Sequence, residues 1–289
     1  MKSLFYIILF FSVSVSAQIK ITLIDSITQK PIPYVSVWNN ENGNSYFSSN
    51  KRGKLKIPKM NPETELFFFT SSYQSKTIKA KNCNEKVFLQ PKPIVSNTDS
   101  NSIQSVENYY VFDNLDFKEK KTFRSLGIIA TYIPYSKEVD DSPYISKIKF
   151  NFLPSEKDVK YKLRFFEANQ DLQPSNEIGQ QEIIVKAKRT IYQKKDNINR
   201  YIDDDKDVDL LNYRVKFPKN GIFIVLETLL LKENLTVVQF PSNNKKLETY
   251  LPFVTMNNTK KDIKYTIKNN KWSKLEDHTD IAMKVVLSN

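Results

Sequence analysis

Histidine is the residue that most limits the chemistry of this sequence. The 289-residue chain has a single histidine, His278, in the segment KLEDHTD. A zinc peptidase needs at least two histidines and a carboxylate to hold its metal. A Ser-His-Asp triad needs a serine on a strained turn, and no G-x-S-x-G occurs. We therefore predict that His278 is a polar loop residue before the last strand, and we expect no catalytic residue and no enzyme activity.

An acidic run, DDDKDVD, is the second feature with chemical potential. Asp203, Asp205 and Asp207 alternate as the first ligands of a calcium loop would. Val208 stands where an EF-hand loop requires glycine, and Arg214 stands where its bidentate glutamate belongs. An EF-hand is therefore excluded. An irregular calcium site is one alternative. A solvated acidic loop leading into a strand is the other, which we favour because charge runs usually face water.

One carboxylate interrupts an apolar segment. Glu227 lies within the strand predicted over residues 221–231, where it shares a face with Phe223 and Val225. A buried carboxylate is costly unless it is paired. Glu227 therefore indicates either a structural ion pair with a nearby cation or a binding cleft, and the ion pair is preferred.

Aromatic residues offer a third candidate site. The sequence holds 15 Tyr and 19 Phe, and two of its more prominent aromatic positions are Tyr132 and Trp272. Their rings would stack on sugar rings if exposed, whereas in an all-β protein most aromatic rings pack between sheets. Packing is the favoured interpretation. Glu227, Tyr132 and Trp272 remain the candidate ligand contacts.

The N-terminal residues predict that the chain is exported. Residues 1–17 carry Lys2, a short apolar run and a Val-Ser-Ala end, which is the layout of a secretory signal peptide. The apolar run is shorter than the roughly 20 residues that span a bilayer, and no later segment reaches that length. We predict an exported chain of the periplasm or outer cell surface, without a transmembrane segment once cleaved.

The net charge and the predicted export indicate which classes of partner the chain binds. The formal net charge is +12, which favours anionic surroundings. Export argues against nucleic acid as a partner, so an envelope protein or glycan is expected.

Cys83 is the single cysteine, so no intramolecular disulfide forms, and we predict a buried thiol. No cofactor is predicted other than the calcium alternative, and the sequence leaves the oligomeric state open.

The elements that must position these residues are strands. Short alternating and β-branched segments separated by Asn, Gly and Pro turns give about seven strands between residues 18 and 90, the spacing of a small sandwich. Residues 91–116 are rich in Pro, Ser and Asn and are predicted to be a linker. Residues 117–289 again show strand patterns, which suggest a larger antiparallel sandwich of jelly-roll type. The fold class predicted is therefore all-β, with two β-sandwich domains in series.

Three segments of the first half carry a family resemblance. They are ITLIDSITQKPIPYVSVW, NSYFSSNKRGKLKI and ELFFFTSSYQSKTIKA. Together they resemble the carboxypeptidase regulatory-like domain of exported Bacteroidetes proteins, in which a first strand ends in an aspartate, here Asp25. A "PIPYV" strand follows at residues 31–35, and a glycine, here Gly53, occupies a later turn. The chain departs from the family pattern at residues 21–22, which lack its usual glycine, and at Ser72-Tyr73.

The resemblance implies a transthyretin-like sandwich of seven strands, which usually serves as an accessory module without catalysis. The second half is similar to the C-terminal region of such exported proteins, for which no activity is established. We therefore expect a non-enzymatic cell-envelope protein that acts as a binding module or accessory subunit. The alternative is a glycan- or peptide-directed hydrolase that uses carboxylates of the C-terminal domain.

Overall fold

The structure is a computed structural model. It describes residues 18–39, 45–93, 109–115, 122–125, 127–153, 155, 157–187, 191–195, 198–202, 207–239, 244–258, 263–268 and 271–289. For residues 109–111, 122–125, 191–195, 198–202 and 268 only the backbone is described. The predicted signal peptide, residues 1–17, lies outside the described part of the chain.

The N-terminal part forms a small sandwich of two sheets. Its strands are β1 (Ile19–Asp25), β2 (Ser36–Asn39), β3 (Tyr46–Ser48), β4 (Lys54–Ile57), β5 (Glu65–Phe69), β6 (Lys76–Lys79) and β7 (Lys86–Leu89), with a 3-10 turn at Ala80–Asn82. One sheet has the order β4-β1-β7, and the other has the order β3-β2-β5-β6. Alternate residues such as Leu23, Val37 and Phe68 fill the core between them.

The C-terminal part contains the remaining elements. They are β8 (Tyr109–Asp113), β9 (Thr122–Ser125), β10 (Ile128–Ile133), helix α1 (Glu138–Asp141), β11 (Tyr144–Phe150), β12 (Val159–Ala168), β13 (Pro174–Ala187), β14 (Ile191–Lys195), β15 (Ile198–Ile202), β16 (Asp207–Asp209), β17 (Val215–Lys216), β18 (Ile222–Thr228), β19 (Leu235–Gln239), β20 (Lys246–Tyr250), β21 (Phe253–Asn258), β22 (Lys264–Lys268), β23 (Lys271–Leu275), β24 (Thr279–Ile281) and β25 (Met283–Ser288), with 3-10 turns at Leu211–Tyr213 and Lys232–Asn234.

These strands build a second, larger sandwich. A six-stranded sheet of order β13-β12-β18-β10-β22-β23 faces the sheets β16-β11-β25-β8 and β24-β21-β9. Tyr161, Leu163 and Phe165 of β12 point into the core between these sheets together with Ile224 of β18. The hairpins β14–β15 and β19–β20 form separate two-stranded sheets. The described chain is thus all-β apart from one short helix and three 3-10 turns, which confirms the prediction of an all-β sandwich architecture.

The two sandwiches share a third buried layer. The outer face of the β3-β2-β5-β6 sheet packs on the outer face of the six-stranded sheet, where Trp38 of β2 meets Phe223 and Val225 of β18. This arrangement buries β18 on both faces and every residue from Ile222 to Thr228. Strands covered on both sides lose the alternation of apolar and polar residues. The segments LFFF of β5 and IFIVL of β18 are therefore continuous apolar runs.

The strand predictions need corrections in the C-terminal part. Residues 109–113 fall in the predicted linker, but they form β8, which pairs with β25 at the edge of a sheet. The strand expected after the acidic run is extended only at Val215–Lys216, because a 3-10 turn occupies Leu211–Tyr213. The hydrophobic residues of β8 directly follow an Asn- and Ser-rich stretch. Because of that polar composition, the segment was predicted to be part of the linker.

The turn before β4 carries the chain from one N-terminal sheet to the other. Asn50 Oδ1 accepts hydrogen bonds from the backbone N–H groups of Arg52 (2.9 Å) and Lys54 (3.1 Å). Gly53 has φ of +69°, the left-handed region that glycine adopts without steric cost. The backbone oxygens of Leu23 and Ile32 also crowd the position of a side chain there. Gly53 therefore lies in a turn, as the resemblance implies, and a side chain at this position would strain the backbone.

A cluster of buried charges between the two sandwiches

Two cations project from the middle of the six-stranded sheet toward the N-terminal sandwich. Alternation along β12 places Tyr161, Leu163 and Phe165 in the C-terminal core and turns Lys162 and Arg164 outward. The N-terminal sandwich covers this outer face, so Lys162 is fully buried and Arg164 is 4% exposed. Charges removed from water in this way require paired and hydrogen-bonded partners.

Arg164 binds two carboxylates of neighbouring strands. Its Nε donates to Glu177 Oε1 of β13 at 2.8 Å, and its Nη1 lies 3.4 Å from Glu227 Oε2 of β18. Its guanidinium also lies over the rings of Phe69 and Phe166, with centroids at 4.0 and 4.7 Å. A guanidinium suits this position because it is planar, hydrogen-bonds laterally and stacks on aromatic faces.

Lys162 joins the C-terminal sheet to the β2 region. Its Nζ donates to the Tyr34 carbonyl oxygen at 2.8 Å and lies 3.3 Å from Ser36 Oγ. It also forms an ion pair with Glu182 Oε2 of β13 at 3.1 Å. Ser36 Oγ in turn donates a hydrogen bond to Glu227 Oε1. Lys162 and Arg164 are therefore linked through Ser36 and Glu227 in one network.

Side chains of the β5–β6 connection complete the network. Thr70 Oγ1 and the Ser71 backbone N–H both donate to Glu182 Oε1, and Ser71 Oγ donates to Glu177 Oε1 at 2.7 Å. Ser72 Oγ donates to the Gln180 carbonyl oxygen at 2.6 Å. These residues come from the N-terminal sandwich, so the contacts tie both sandwiches together through polar groups. We call Lys162, Arg164, Glu177, Glu182, Glu227 and Ser36 the interlayer charge cluster.

Charge pairing holds Glu182 and Arg164 in their ionised forms. Burial alone would raise the pKa of Glu182, but Lys162 and the hydrogen bonds from Thr70 and Ser71 outweigh it and lower that pKa. Burial alone would lower the pKa of Arg164, and the facing carboxylates Glu177 and Glu227 raise it instead. Both groups therefore keep their charges at neutral pH.

The depressed pKa of Glu182 predicts an acid-sensitive contribution to stability. A group with a lowered folded-state pKa stabilises the fold above its unfolded pKa of about 4.3, and this stabilisation is lost as pH falls through the folded value. We expect Glu182→Gln to lower the free energy of unfolding at pH 7. The gap to the native chain should narrow as pH falls from about 5 to about 3. Urea melts across this range measure it, and a gap independent of pH would contradict the assignment.

An aromatic cavity opens beside the cluster. Its volume is about 130 Å³, and its lining comes from both sandwiches: Trp38, Phe67, Phe69, Arg164, Phe166, Ile267 and Trp272. Phe166 and Trp272 meet edge to face at 5.3 Å. The buried Trp38 Nε1 has no hydrogen-bond partner among the described residues. We call this space the interlayer aromatic cavity.

A second, larger cavity lies on the C-terminal sandwich alone. Its volume is about 490 Å³, and its lining is Val139, Asp140, Pro143, Glu167, Ile178, Lys216, Phe217, Pro218 and Lys219. Asp140 is bound by Lys219 and by the Tyr135 hydroxyl, and these hydrogen bonds lower its pKa. A carboxylate in this state does not store a proton for general acid catalysis at neutral pH.

The structure places all three candidate ligand contacts at the layer between the two sandwiches, and of these only Trp272 lines the interlayer aromatic cavity. Glu227 is fully buried and paired with Arg164, so the preferred interpretation as a structural ion pair is confirmed. Trp272 lines the interlayer aromatic cavity. Tyr132 instead packs on Phe223 at a ring distance of 5.3 Å and donates from its hydroxyl to the Asn220 carbonyl oxygen at 3.1 Å. Tyr132 does not line the cavity.

The other sequence candidates lie elsewhere. His278 is exposed in a turn with φ of +51°, which confirms its interpretation as a loop residue. Cys83 is half-buried against the N-terminal core rather than fully buried, and burial raises its thiol pKa. Lys264 is fully buried, where its ammonium group contacts Asp277 and Thr279.

The acidic run is only partly described. Asp203 and Asp205 lie outside the described residues. Asp207 belongs to β16 and not to a loop, which corrects the expectation of a solvated acidic loop at this position. Its carboxylate oxygens lie 3.4 Å from Lys147 Nζ and 3.9 Å from Lys149 Nζ. Within the described chain, no group of three or more His, Cys, Asp or Glu residues is placed to hold a metal ion.

We expect calcium to leave the stability of this protein unchanged. The two lysines facing Asp207 repel a divalent cation, whereas a ligand that binds the folded state would raise the melting temperature. Thermal melts with and without millimolar calcium test this, with Asp207→Asn as the matched variant. A rise in melting temperature that Asp207→Asn abolishes would establish a calcium site instead.

Sequence reasoning missed the partners of Glu227. Lys162 and Arg164 alternate with apolar residues along β12, which is also the pattern of a sheet with one face in water. The available signal was the apolar ELFFF run, since it indicates that a second layer must cover the sheet that contains it.

Comparisons with known proteins do not identify a family for the chain. No family model and no curated protein matches the sequence. Two solved structures resemble it weakly, both with 12% identity and 89% of this chain covered. One is a variant of the clostridial cysteine protease Cwp84 after propeptide cleavage, with a TM-score of 0.36. The other comprises the cysteine protease and lectin-like domains of Cwp84, a surface layer associated protein of Clostridium difficile, with a TM-score of 0.35. The chain spans 65% and 58% of those two structures.

Helices give no indication of a membrane span. The described residues contain no helix with the length and apolar character needed to cross a bilayer.

Proposed function

We propose that this chain is an exported, non-enzymatic binding protein of the cell envelope, acting as an interaction module or as an accessory subunit of an envelope assembly. The observation that carries the proposal is the interlayer charge cluster. Its three carboxylates, Glu177, Glu182 and Glu227, each face Lys162 or Arg164. Acid–base catalysis needs a carboxylate free to gain or lose a proton, so this pairing supports a structural role.

Hydrogen bonds between the two sandwiches also support the proposal of a rigid scaffold. Polar contacts such as Tyr46 Oη to the Thr228 carbonyl oxygen (2.7 Å) and Leu230 N–H to Ser48 Oγ (3.1 Å) hold the two sandwiches in one orientation. A fixed orientation keeps a composite surface preformed, which lowers the entropic cost of binding a partner. The predicted signal peptide and the net charge of +12 support an anionic envelope surface as the setting.

The resemblance to carboxypeptidase regulatory-like domains points in the same direction. Asp25, which ends β1, accepts backbone hydrogen bonds from Ile27 (2.8 Å) and Thr28 (3.0 Å). It also accepts the Tyr73 hydroxyl at 2.9 Å, so two positions of the proposed family motif meet. Burial and the nearby Asp25 raise the Tyr73 pKa to about 12. We propose that residues 18–90 are an accessory module of this class.

Fractionation of the producing cells tests the proposal. We expect the mature chain to begin at Gln18, to appear in the periplasm or on the outer surface, and to co-sediment with isolated envelopes. The association should weaken with rising salt, since the attraction to anionic polymers is screened. Chain found in the cytosol with residues 1–17 retained would contradict the export proposal. Hydrolysis of envelope glycans or peptides by purified protein would favour the hydrolase alternative.

A further inference from the structure

The outer sheet of the N-terminal sandwich carries a row of exposed cations. This sheet, β4-β1-β7, faces away from the C-terminal sandwich, because the β3-β2-β5-β6 sheet makes the contact with the six-stranded sheet. Alternation turns Leu23, Leu55 and Val87 into the N-terminal core and turns the intervening residues to the opposite face. We call that opposite face the basic outer face, and its residues are Lys20, Thr22 and Ile24 of β1, Lys54 and Lys56 of β4, and Lys86 and Phe88 of β7.

Strand register brings the four lysines of this face together. Lys20 lies opposite Lys56, and Thr22 lies between Lys54 and Lys86. With strands about 4.8 Å apart and alternate residues about 6.7 Å apart, the four Cα atoms lie within about 12 Å of one another. All four lysines are exposed, and none forms an ion pair with another described residue. Like charges directly opposite each other destabilise a sheet, so an anionic partner would relieve a repulsion that the free protein contains.

The surroundings of the basic outer face do not neutralise it. Residues 18–93 contain twelve Lys and Arg residues and five Asp and Glu residues. No Asp or Glu occupies an outward position of β1, β4 or β7. Asp25 is buried, and Glu63 is already bound by two lysines. Lys76 of β6 adds a further cation at the edge of β7, where its Nζ donates to the Phe88 carbonyl oxygen at 3.1 Å. The partner that fits this face is therefore anionic.

Two exposed apolar side chains lie at one end of the same sheet. Phe88 is 40% exposed, and Ile27, in the turn after β1, is 73% exposed. Strands β1 and β7 are parallel, and the Ser26 N–H donates to the Leu89 carbonyl oxygen at 3.0 Å, so the turn and the end of β7 share one sheet edge. A soluble polyanion offers no apolar environment to Ile27. The boundary between headgroups and acyl chains offers one directly below a layer of phosphates.

The type of cation also favours a surface over a discrete ligand. The four cations are lysines, which act as flexible point charges, whereas arginine provides the rigid bidentate contacts of a specific phosphate or carboxylate site. The two cavities described above lie elsewhere, one on the C-terminal sandwich and one between the sandwiches. A flat sheet with flexible cations matches a layer of headgroups, in which the phosphates have no fixed spacing.

We propose that the basic outer face docks this protein on a lipid bilayer that contains anionic phospholipid. The four lysines lie at the phosphates, and Phe88 and Ile27 enter the headgroup layer. The C-terminal sandwich then projects away from the membrane, because it covers the opposite side of the N-terminal sandwich. The inference deepens the proposed envelope-binding function and rests on it for the encounter with a membrane.

Co-sedimentation with vesicles tests the docking. The full mature chain, residues 18–289, is mixed with phosphatidylcholine vesicles that contain about one-third phosphatidylglycerol, or with vesicles of phosphatidylcholine alone. We expect binding to the anionic vesicles to be at least about tenfold tighter than binding to the neutral ones. The difference should shrink as salt rises, because the attraction is screened.

A variant with glutamine in place of all four lysines tests the face itself. Each lysine near an anionic membrane contributes about fivefold to binding, so the variant should bind the anionic vesicles at least about a hundredfold more weakly. The control variant has the same net charge, because glutamine replaces four exposed lysines of the C-terminal sandwich instead: Lys137, Lys232, Lys246 and Lys274. It should lose no more than about threefold, which is the effect of net charge alone.

A second pair of variants tests the apolar end. Ile27→Ser should weaken binding to anionic vesicles about fivefold, because it removes an apolar side chain that leaves water on docking. Leu247→Ser, at a 53% exposed position of β20, is its control and should bind as the native chain does. Circular dichroism melts establish that each variant is folded. If the four-lysine variant is not folded, Lys20→Gln combined with Lys56→Gln should still weaken binding by about twentyfold.

Defined outcomes would overturn the proposal. Equal binding to neutral and anionic vesicles would do so, as would a four-lysine variant that binds as its control does. Dextran sulfate bound as tightly as anionic vesicles, with Ile27→Ser unchanged on both, would assign the face to an anionic polysaccharide. Association with isolated envelopes that survives in the four-lysine variant would leave the proposed function standing without this face. Lysine-dependent vesicle binding by a chain that cells retain in the cytosol would support the face and remove the proposed function.

Discussion

Replacing Arg164 by methionine is expected to lower the free energy of unfolding by about 3–5 kcal/mol, the loss found when one partner of a buried ion pair is removed. Methionine fills much of the same volume but leaves Glu177 and Glu227 buried without the guanidinium that faces them. Phe69 and Phe166 also lose the cation over their rings. Guanidinium or urea melts of the mature protein at pH 7 measure the loss.

Two further variants separate the buried charge from the side chain as such. Lys219→Met removes a cation that is exposed and bound to Asp140, so its melt should match that of the native chain. Arg164→Met combined with Glu227→Gln removes a stranded carboxylate and should recover part of the lost stability, because the two sites are coupled. A melt of Arg164→Met as mild as that of Lys219→Met would show that the interlayer charge cluster does not stabilise the fold.

Gly53→Val is expected to lower the free energy of unfolding by about 3 kcal/mol. The residue has φ of +69°, and left-handed backbone costs a β-branched residue roughly 1–3 kcal/mol. A Cβ atom at this position would lie 2.9 Å from the Leu23 carbonyl oxygen and 3.0 Å from that of Ile32. Those are backbone atoms of β1 and the following turn, so relief requires the sheet to move. Denaturant melts give the size of the effect.

Neighbouring substitutions bracket this effect. Lys51→Ala lies at the exposed tip of the same turn and should change stability by no more than about 0.5 kcal/mol. Gly53→Ala should fall between Lys51→Ala and Gly53→Val, because alanine has the same Cβ contact without branching. If Gly53→Val proved as harmless as Lys51→Ala, the turn would have another conformation in solution.

Several elements were predictable from sequence because their causes are local. Alternating polar and apolar residues predicted about seven strands in the N-terminal part, where the structure has seven. Asn50 and Gly53 indicated the turn between β3 and β4. The burial of the Glu227 carboxylate was predictable because Glu227 interrupts an apolar strand. Strands such as β8, β22 and β23 were missed because they lie beside polar stretches and owe their extended form to pairing with distant strands.

The site depended on tertiary structure. Strand periodicity determines that Lys162 and Arg164 share one face of β12. The periodicity of the strand does not determine whether that face of β12 is exposed to water or covered by a second sheet. The packing of the β3-β2-β5-β6 sheet on the six-stranded sheet decided it. Residues separated by as many as 191 positions, such as Ser36 and Glu227, meet only there, because burial and pairing are properties of the assembled layers.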